Sequence, residues 1–260
     1  MTPEPARAAP LPRKSQAQRD RALSILAALR GRYPDAHCEL TWSEPHELLV
    51  ATILSAQATD VGVNRATPAL FAAFPSPADY ARAGASAIEP YVRSLNFWRM
   101  KARAVAESMS AIVERHGGTV PQSMDALLAL RGVARKTANV VLGNAFGINV
   151  GVVVDTHVGR LSRRFGLSRH SDPVRVERDL MALFPQESWC ELSHLLIFHG
   201  RQVCKARGGS CADDAICQSH CSQARQRAPQ RAKAATSAAR GATSAGRRAS
   251  TRPRPSRRRG

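Results

Sequence analysis

Lys136 follows Arg135 at the point where an Arg131-Gly132-Val133-Ala134 break gives way to a new apolar helical pattern through Val140, Val141 and Leu142. A like-signed neighbour and the positive end of a helix both favour the neutral form of an amine, and a neutral amine is a nucleophile. Against that stands the common fate of a lysine, a solvated surface charge. Asp155 lies between the apolar run Val152-Val153-Val154 and Thr156-His157-Val158, the pattern of a carboxylate that caps a new helix. A purely structural cap and a carboxylate that serves proton movement are compatible readings. Cys204, Cys211, Cys217 and Cys221 crowd into one short stretch. Four thiols so close fit a thiolate-held metal or iron–sulfur site, with zinc, disulfides and free thiols as alternatives. Lys205 and Arg207 fall inside the first cysteine loop, where they could meet phosphate. Cys38 and Cys190 are isolated and read as buried small residues. His157 and His199 read as structural hydrogen-bonders, because no metal-ligand spacing links them.

The elements that must position these residues are helices. Little two-residue alternation of the strand type occurs, so an all-α fold is expected. Ala22, Leu23, Leu26 and Leu29 recur at helical spacing until Gly31 and Pro34 end the pattern. Glu44 and Pro45 open a second helix, whose Leu48, Leu49, Thr52, Ile53 and Ser55 lead into Gln57 and Asp60. Residues 68–74 and 91–116 read as further helices, broken by Pro75, Pro77, Pro90 and the Gly117-Gly118 pair. Ser171-Asp172-Pro173 is a cap followed by a first-turn proline that launches residues 174–184. A short helix over residues 123–130, the four-residue break and the helix from Arg135 make a helix-turn-helix pair. Such a turn aims the second helix's free N–H groups at whatever lies in front, a position that suits a DNA phosphate. The same turn can equally be structural.

With 260 residues, 43% of them hydrophobic, the chain can hold one or two domains with a packed core. No run of about eighteen apolar residues suggests a membrane span. Residues 1–14 lack the apolar middle of a secretory signal, and their prolines oppose the amphipathic helix of a transit peptide. A soluble, intracellular protein is expected. The formal net charge of +18 makes a polyanion the natural partner. Twelve of the basic residues lie after Ser222 with no acid among them, which leaves +6 for the rest. That tail is Ala, Arg, Ser and Pro without apolar periodicity, so it is expected to be disordered. It reads either as a passive extension or as an arm that exchanges counterions with DNA.

Taken together, these segments resemble the endonuclease III family of helix-hairpin-helix DNA glycosylases. The residues from Leu130 to Val141, LRGVARKTANVV, closely match the family's hairpin. Leu54-Ser55-Ala56-Gln57-Ala58-Thr59-Asp60, Val154-Asp155-Thr156-His157-Val158 and His199-Gly200-Arg201 match its other signature segments in the same order, and the similarity runs from about Asp20 to Cys221. The resemblance implies two helical domains with the active site in the cleft between them. A six-helix unit with the hairpin would span 41–150, and a second unit would combine 20–40 with 151–221 and carry a [4Fe-4S] cluster on Cys204, Cys211, Cys217 and Cys221. Residues 1–19 and 222–260 would be disordered extensions. The resemblance makes Lys136 the nucleophile and Asp155 the essential carboxylate. It implies that Gln57 fills the hole left by an extruded base and that Phe97 takes the position of a second wedge. Arg131, Gly132, Val133 and Ala134 would face DNA, with Lys205 and Arg207 beside it. The implied activity is removal of oxidised pyrimidines and β-elimination at abasic sites, through a Schiff base on Lys136. The implied partner is damaged double-stranded DNA, met by a monomer in the cytoplasm, at the nucleoid.

The chain departs from the family pattern in four places. Arg131 and Ala134 replace the hairpin's usual proline and second glycine. One extra residue falls between Lys136 and Asp155, somewhere in 148–152. Phe97, followed by Trp98, stands where the family has leucine. The cysteines are separated by six, five and three residues, where the family has six, two and five. Either the two-residue gap would need a cysteine at Asp214, or Cys211 and Cys217 are the last two family ligands and Cys221 is a replacement.

Overall fold

Polar residues placed just ahead of apolar stretches set where the helices begin. The computed structural model describes residues 10–207 and 209–221. Ser15 accepts from the Gln18 N–H, and the Gln18 side chain returns the bond, to start α1 (Gln16–Arg32). Glu44 and Glu47 form the same reciprocal box ahead of α2 (Pro45–Leu54). Thr59 caps α3 (Asp60–Ala73) and the Ser76–Asp79 pair caps α4 (Pro77–Val92). After α5 (Trp98–His116), Ser123 caps α6 (Met124–Leu128). α7 (Arg135–Phe146) leaves Ala134 with no side-chain cap, so its first N–H groups have no side-chain acceptor. Asp155 caps α8 (Thr156–Arg164) and Asp172 caps α9 (Pro173–Leu183). α10 (Trp189–Gln202) and α11 (Ala215–His220) complete the described helices. No helix among the described residues is long and apolar enough to cross a membrane.

The helices close around two hydrophobic cores. In the first, Leu48, Leu49 and Leu54 of α2 meet Leu70, Tyr80, Ile88, Met109, Ile112, Val141 and Leu142, so α2 to α7 form one unit. In the second, Ile25, Leu26 and Leu29 of α1 meet Leu161, Phe165, Leu180, Leu192, Leu196 and the four clustered cysteines. The described residues thus form an all-helical fold, with two units whose second is assembled from both ends of the described sequence. α1 is tied to its distant partners by Arg30 to Glu191, at 2.6 Å, and by Arg21 to the His220 carbonyl, at 2.7 Å.

Some local expectations shift. Residues 16–19, expected in a disordered extension, are helical, because the Ser15 box starts α1 early and Lys14 pairs with the buried Asp179 at 2.5 Å. The remainder of the expected extension up to residue 9, and the expected tail at 222–260, lie outside the described residues. The buried stripe of α1 is Ala22, Ile25, Leu26 and Leu29; Leu23 is exposed, since each residue turns 100° and 23 falls off that face. Pro68 and Pro90 sit inside α3 and α4 rather than bounding them. Each proline removes one N–H bond, a loss offset by core packing of Leu70, Ile88 and Val92 on the same helices. The helix expected over 91–116 is split instead at Phe97, which takes a left-handed backbone (φ 57°) ahead of α5.

Candidate active site

The hairpin turn is set by Gly132, which has φ 76° and whose missing Cβ would lie 3.0 Å from Ala104 Cβ. Only glycine meets both conditions without strain. Ser108 Oγ donates to the Arg131 carbonyl at 2.6 Å, fixing the turn to α5. Beyond it, Arg135 reaches across to the second unit and pairs with Glu177, a nearly buried carboxylate, at 2.9 Å. Glu177 also accepts from Asn139 Nδ2 at 3.0 Å. These bonds hold the guanidinium charge of Arg135 and clamp the first turn of α7 against α9.

Lys136 follows in that turn and lines a recess together with Asp155, Ser55, Asp60, Asn144, Cys190, His194 and Arg201. The wider mouth of the same cleft adds Gln57, Thr156, Arg160 and Arg163, again with Lys136 and Asp155 on its walls. Asp155 is the N-cap read from the sequence: one carboxylate oxygen accepts from the Val158 N–H at 2.8 Å. Close packing of α8 on α10 requires Gly200, where a Cβ would lie 2.9 Å from His157 Nδ1. Arg160 bridges the two helices, donating to His157 Nδ1, the Gly200 carbonyl and the Cys204 carbonyl at 3.0 to 3.1 Å.

Several lining residues escaped sequence reasoning. Cys38 and Cys190, read as isolated, buried small residues, both line the recess. Burial pushes the Cys190 thiol up to about 11. His194 Nε2 donates to Asn144 Oδ1 at 2.8 Å, and burial lowers its pKa to about 4, so it is neutral above that. With Asn144 Oδ1 as acceptor, His194 carries its proton on Nε2. Arg201 spans the units by pairing with Asp60, at 2.6 Å, and with Glu39. Burial raises the Asp60 carboxyl above the usual carboxylate range. The signal available in the sequence was the His199-Gly200-Arg201 segment, but not the partners that Arg201 would find.

Gln57, at the mouth, and Phe97 are the non-glycine residues with positive φ among those described, at 52° and 57°. Asn96 Nδ2 donates to the Gln57 carbonyl at 3.3 Å, joining the two loops. Phe97 is 55% exposed, a costly position for an aromatic side chain with no partner surface. The hairpin residues fare unequally. Gly132 and Ala134 are exposed, but the Val133 side chain is packed in the first core, so only its backbone could face a ligand. Arg131 pairs with Glu107 at 2.8 Å, which offsets the charge expected to meet DNA. Lys205 and Arg207 are exposed in the cysteine loop.

Cys204, Cys211, Cys217 and Cys221 are all buried in the second core and none is in a disulfide, although their spacing is unusual. Arg164 donates to Cys204 Sγ at 3.0 Å, and His199 Nε2 faces Cys217 Sγ at 3.2 Å while its Nδ1 meets the Tyr33 hydroxyl at 2.9 Å. Hydrogen bonds from Cys217 and Arg164 lower the Cys204 thiol below its usual range. Asp214 does not replace a thiol in the first instance; it caps α11 by accepting from the Cys217 N–H at 3.0 Å, though it also stands within 4.8 Å of His199 and Cys217 donor atoms. Four buried thiols with cationic and N–H donors aimed at their sulfurs fit a thiolate-held metal centre.

Residues 50–186 match the model of the HhH-GPD superfamily base excision DNA repair proteins. The chain is 51% identical over 201 residues to endonuclease III of Synechocystis sp., covering 77% of this chain and 92% of that protein. It is 40% identical over 199 residues to endonuclease III of Escherichia coli K12, covering 75% and 94%. Among solved structures, a trapped endonuclease III–DNA covalent intermediate superposes with a TM-score of 0.75 at 38% identity, covering 80% of this chain and 98% of that one. A non-covalent endonuclease III–DNA complex gives 0.76 at 38% identity, covering 81% and 98%.

Proposed function

Because this chain belongs to the endonuclease III family within the HhH-GPD superfamily of base excision DNA repair proteins, we propose that it is a bifunctional DNA glycosylase and abasic-site lyase. Its substrates are oxidised pyrimidines and abasic sites in double-stranded DNA. The observation that carries this reading is the meeting of Lys136, from the first turn of α7, with Asp155, from the cap of α8, on the walls of one cleft between the two units. A damaged nucleotide turned out of the duplex enters that cleft, since its sugar carbon is inaccessible within the stack. Gln57 takes the vacated place. The uncapped N–H groups at the start of α7 hold the backbone phosphate.

The Lys136 amine attacks C1′, the bond to the base breaks, and the base departs with its electron pair and takes up a proton. The C1′–O4′ bond of the resulting aminal then opens, its electron pair going to O4′, which takes up a proton lost from the amine, and leaves a C1′=N iminium. This acidifies the C2′–H bond, and loss of that proton to give an enamine is followed by breaking of the C3′–O bond, which expels the 3′ phosphate by β-elimination. Asp155 keeps one oxygen on the Val158 N–H and presents the other to the cleft, where its charge stabilises the cationic sugar and assists proton movement. Cys204, Cys211, Cys217 and Cys221 would hold a [4Fe-4S] cluster, which when bound braces the loop carrying Lys205 and Arg207.

Borohydride reduction during reaction with an abasic duplex tests the reading. The wild type is expected to form a permanent protein–DNA adduct, and Lys136→Gln to lose both the adduct and strand cleavage while still binding DNA. An adduct that survives in Lys136→Gln assigns the nucleophile to another amine and overturns the mechanism.

A further inference from the structure

We propose that Arg93 and Arg99, stacked on Trp98 beside Phe97, form a phosphate clamp for the strand opposite the extruded nucleotide. This rests on the glycosylase reading and adds a second DNA contact surface to it. The Arg99 guanidinium lies 4.1 Å from the Trp98 ring centroid and that of Arg93 lies 5.7 Å from it. Both arginines are exposed, and neither has a carboxylate partner among the described residues. Their neighbours differ: Arg103 and Arg131 share Glu107, at 2.6 and 2.8 Å, and Arg82 pairs with Asp79, at 3.3 Å. Arg93 and Arg99 are thus two unneutralised charges held in place by an indole, with little side-chain freedom left to lose on binding. A planar guanidinium so presented suits the paired oxygens of a phosphodiester.

The position of the pair selects the strand. Gln57 lines the Lys136 cleft and also a second recess that it shares with Ser94, Leu95 and Asn96, and the Asn96 hydrogen bond joins it to the loop that carries Phe97. A duplex whose damaged strand is bent into the Lys136 cleft presents its other strand to Phe97 and the stacked arginines. Phe97 and Met100, at the start of α5, are 55% and 68% exposed and give this segment the apolar surface that bases require once unstacked.

The test is anisotropy binding to a duplex with a reduced, non-reactive abasic site at several salt concentrations. Relative to wild type, the double variant Arg93→Gln, Arg99→Gln is expected to bind more weakly, with the slope of log K against log salt shallower by about 2. Trp98 is retained so that the core is undisturbed, and an unchanged melting temperature verifies folding. Arg93→Lys, Arg99→Lys should keep most of the slope. Neutral methylphosphonates opposite the lesion should weaken wild-type binding and leave the Gln variant nearly unaffected. An unchanged slope, or a variant insensitive instead to methylphosphonates in the damaged strand, overturns the clamp. Borohydride trapping by wild type is independent of these measurements, so failure of the Lys136 chemistry is seen separately.

Discussion

One oxygen of Asp155 closes the first turn of α8, and the other has no hydrogen-bond partner among the described residues. Asp155→Asn preserves an acceptor for the Val158 N–H, so stability should change by less than about 1 kcal/mol. The charge is lost, and single-turnover base release should fall by about a hundredfold or more. A variant that folds and turns over normally would reduce Asp155 to a cap. His194 makes a different kind of prediction. Its pKa is about 4 in the folded protein, below an unfolded value of 6.5, so the unfolded chain binds the additional proton first. The stability it contributes is complete above pH 6.5 and is lost as the pH falls towards 4. Between pH 7 and 5 the wild type should lose about 2 kcal/mol through this group, read from urea midpoints. His194→Gln should flatten that part of the profile.

Among the elements, the hairpin depends on a single backbone position. Gly132 combines a left-handed φ of 76° with close approach to Ala104. Gly132→Ala is therefore expected to cost about 1–2 kcal/mol and to tilt the first turn of α7. Melting temperature and affinity for abasic duplex should fall together, because the same turn presents Lys136 and the N–H groups proposed to hold a phosphate. If affinity is retained while stability drops, the hairpin backbone is not a phosphate site. Gln57 and Phe97 carry the converse device: non-glycine residues kept at positive φ on loops that cross-link through Asn96. Strain of this kind persists where surrounding packing over-determines it, and here both residues that carry it are exposed.

At the level of the whole molecule, the cleft exists because the second unit is built from α1 and the segment after the hairpin, and is stapled to the first by Arg135–Glu177 and Arg201–Asp60. Its core is lined by the four cysteines, so a metal held by them would couple its loading to folding. Protein purified without oxygen is expected to be brown and to contain iron and sulfide. Cys211→Ser and Cys221→Ser should each lose the colour and lower thermal stability and DNA affinity before they affect base release. A colourless, zinc-containing protein would rule out the cluster, and colour retained in Cys221→Ser would remove Cys221 from the ligand set.

The sequence by itself determined the helical class, the hairpin turn and the caps at Asp155 and Asp172, because each depends on residues within a few positions of one another. It also pointed to Lys136, through the turn before it and the family's motif. The tertiary structure alone decided that Arg131 spends its charge on Glu107, that Val133 turns inward, and that Arg93 and Arg99 are left unpaired on Trp98. It alone brought Cys38, Asn144, Cys190, His194 and Arg201 to the wall shared with Lys136 and Asp155. It also gathered Cys221 with the other thiols despite the altered spacing, through α11 packing against α1. The physical reason is range: a cap or a turn is an energy between neighbours in the chain, whereas a charge pair or a cleft wall depends on distances set by the packing of helices far apart in sequence.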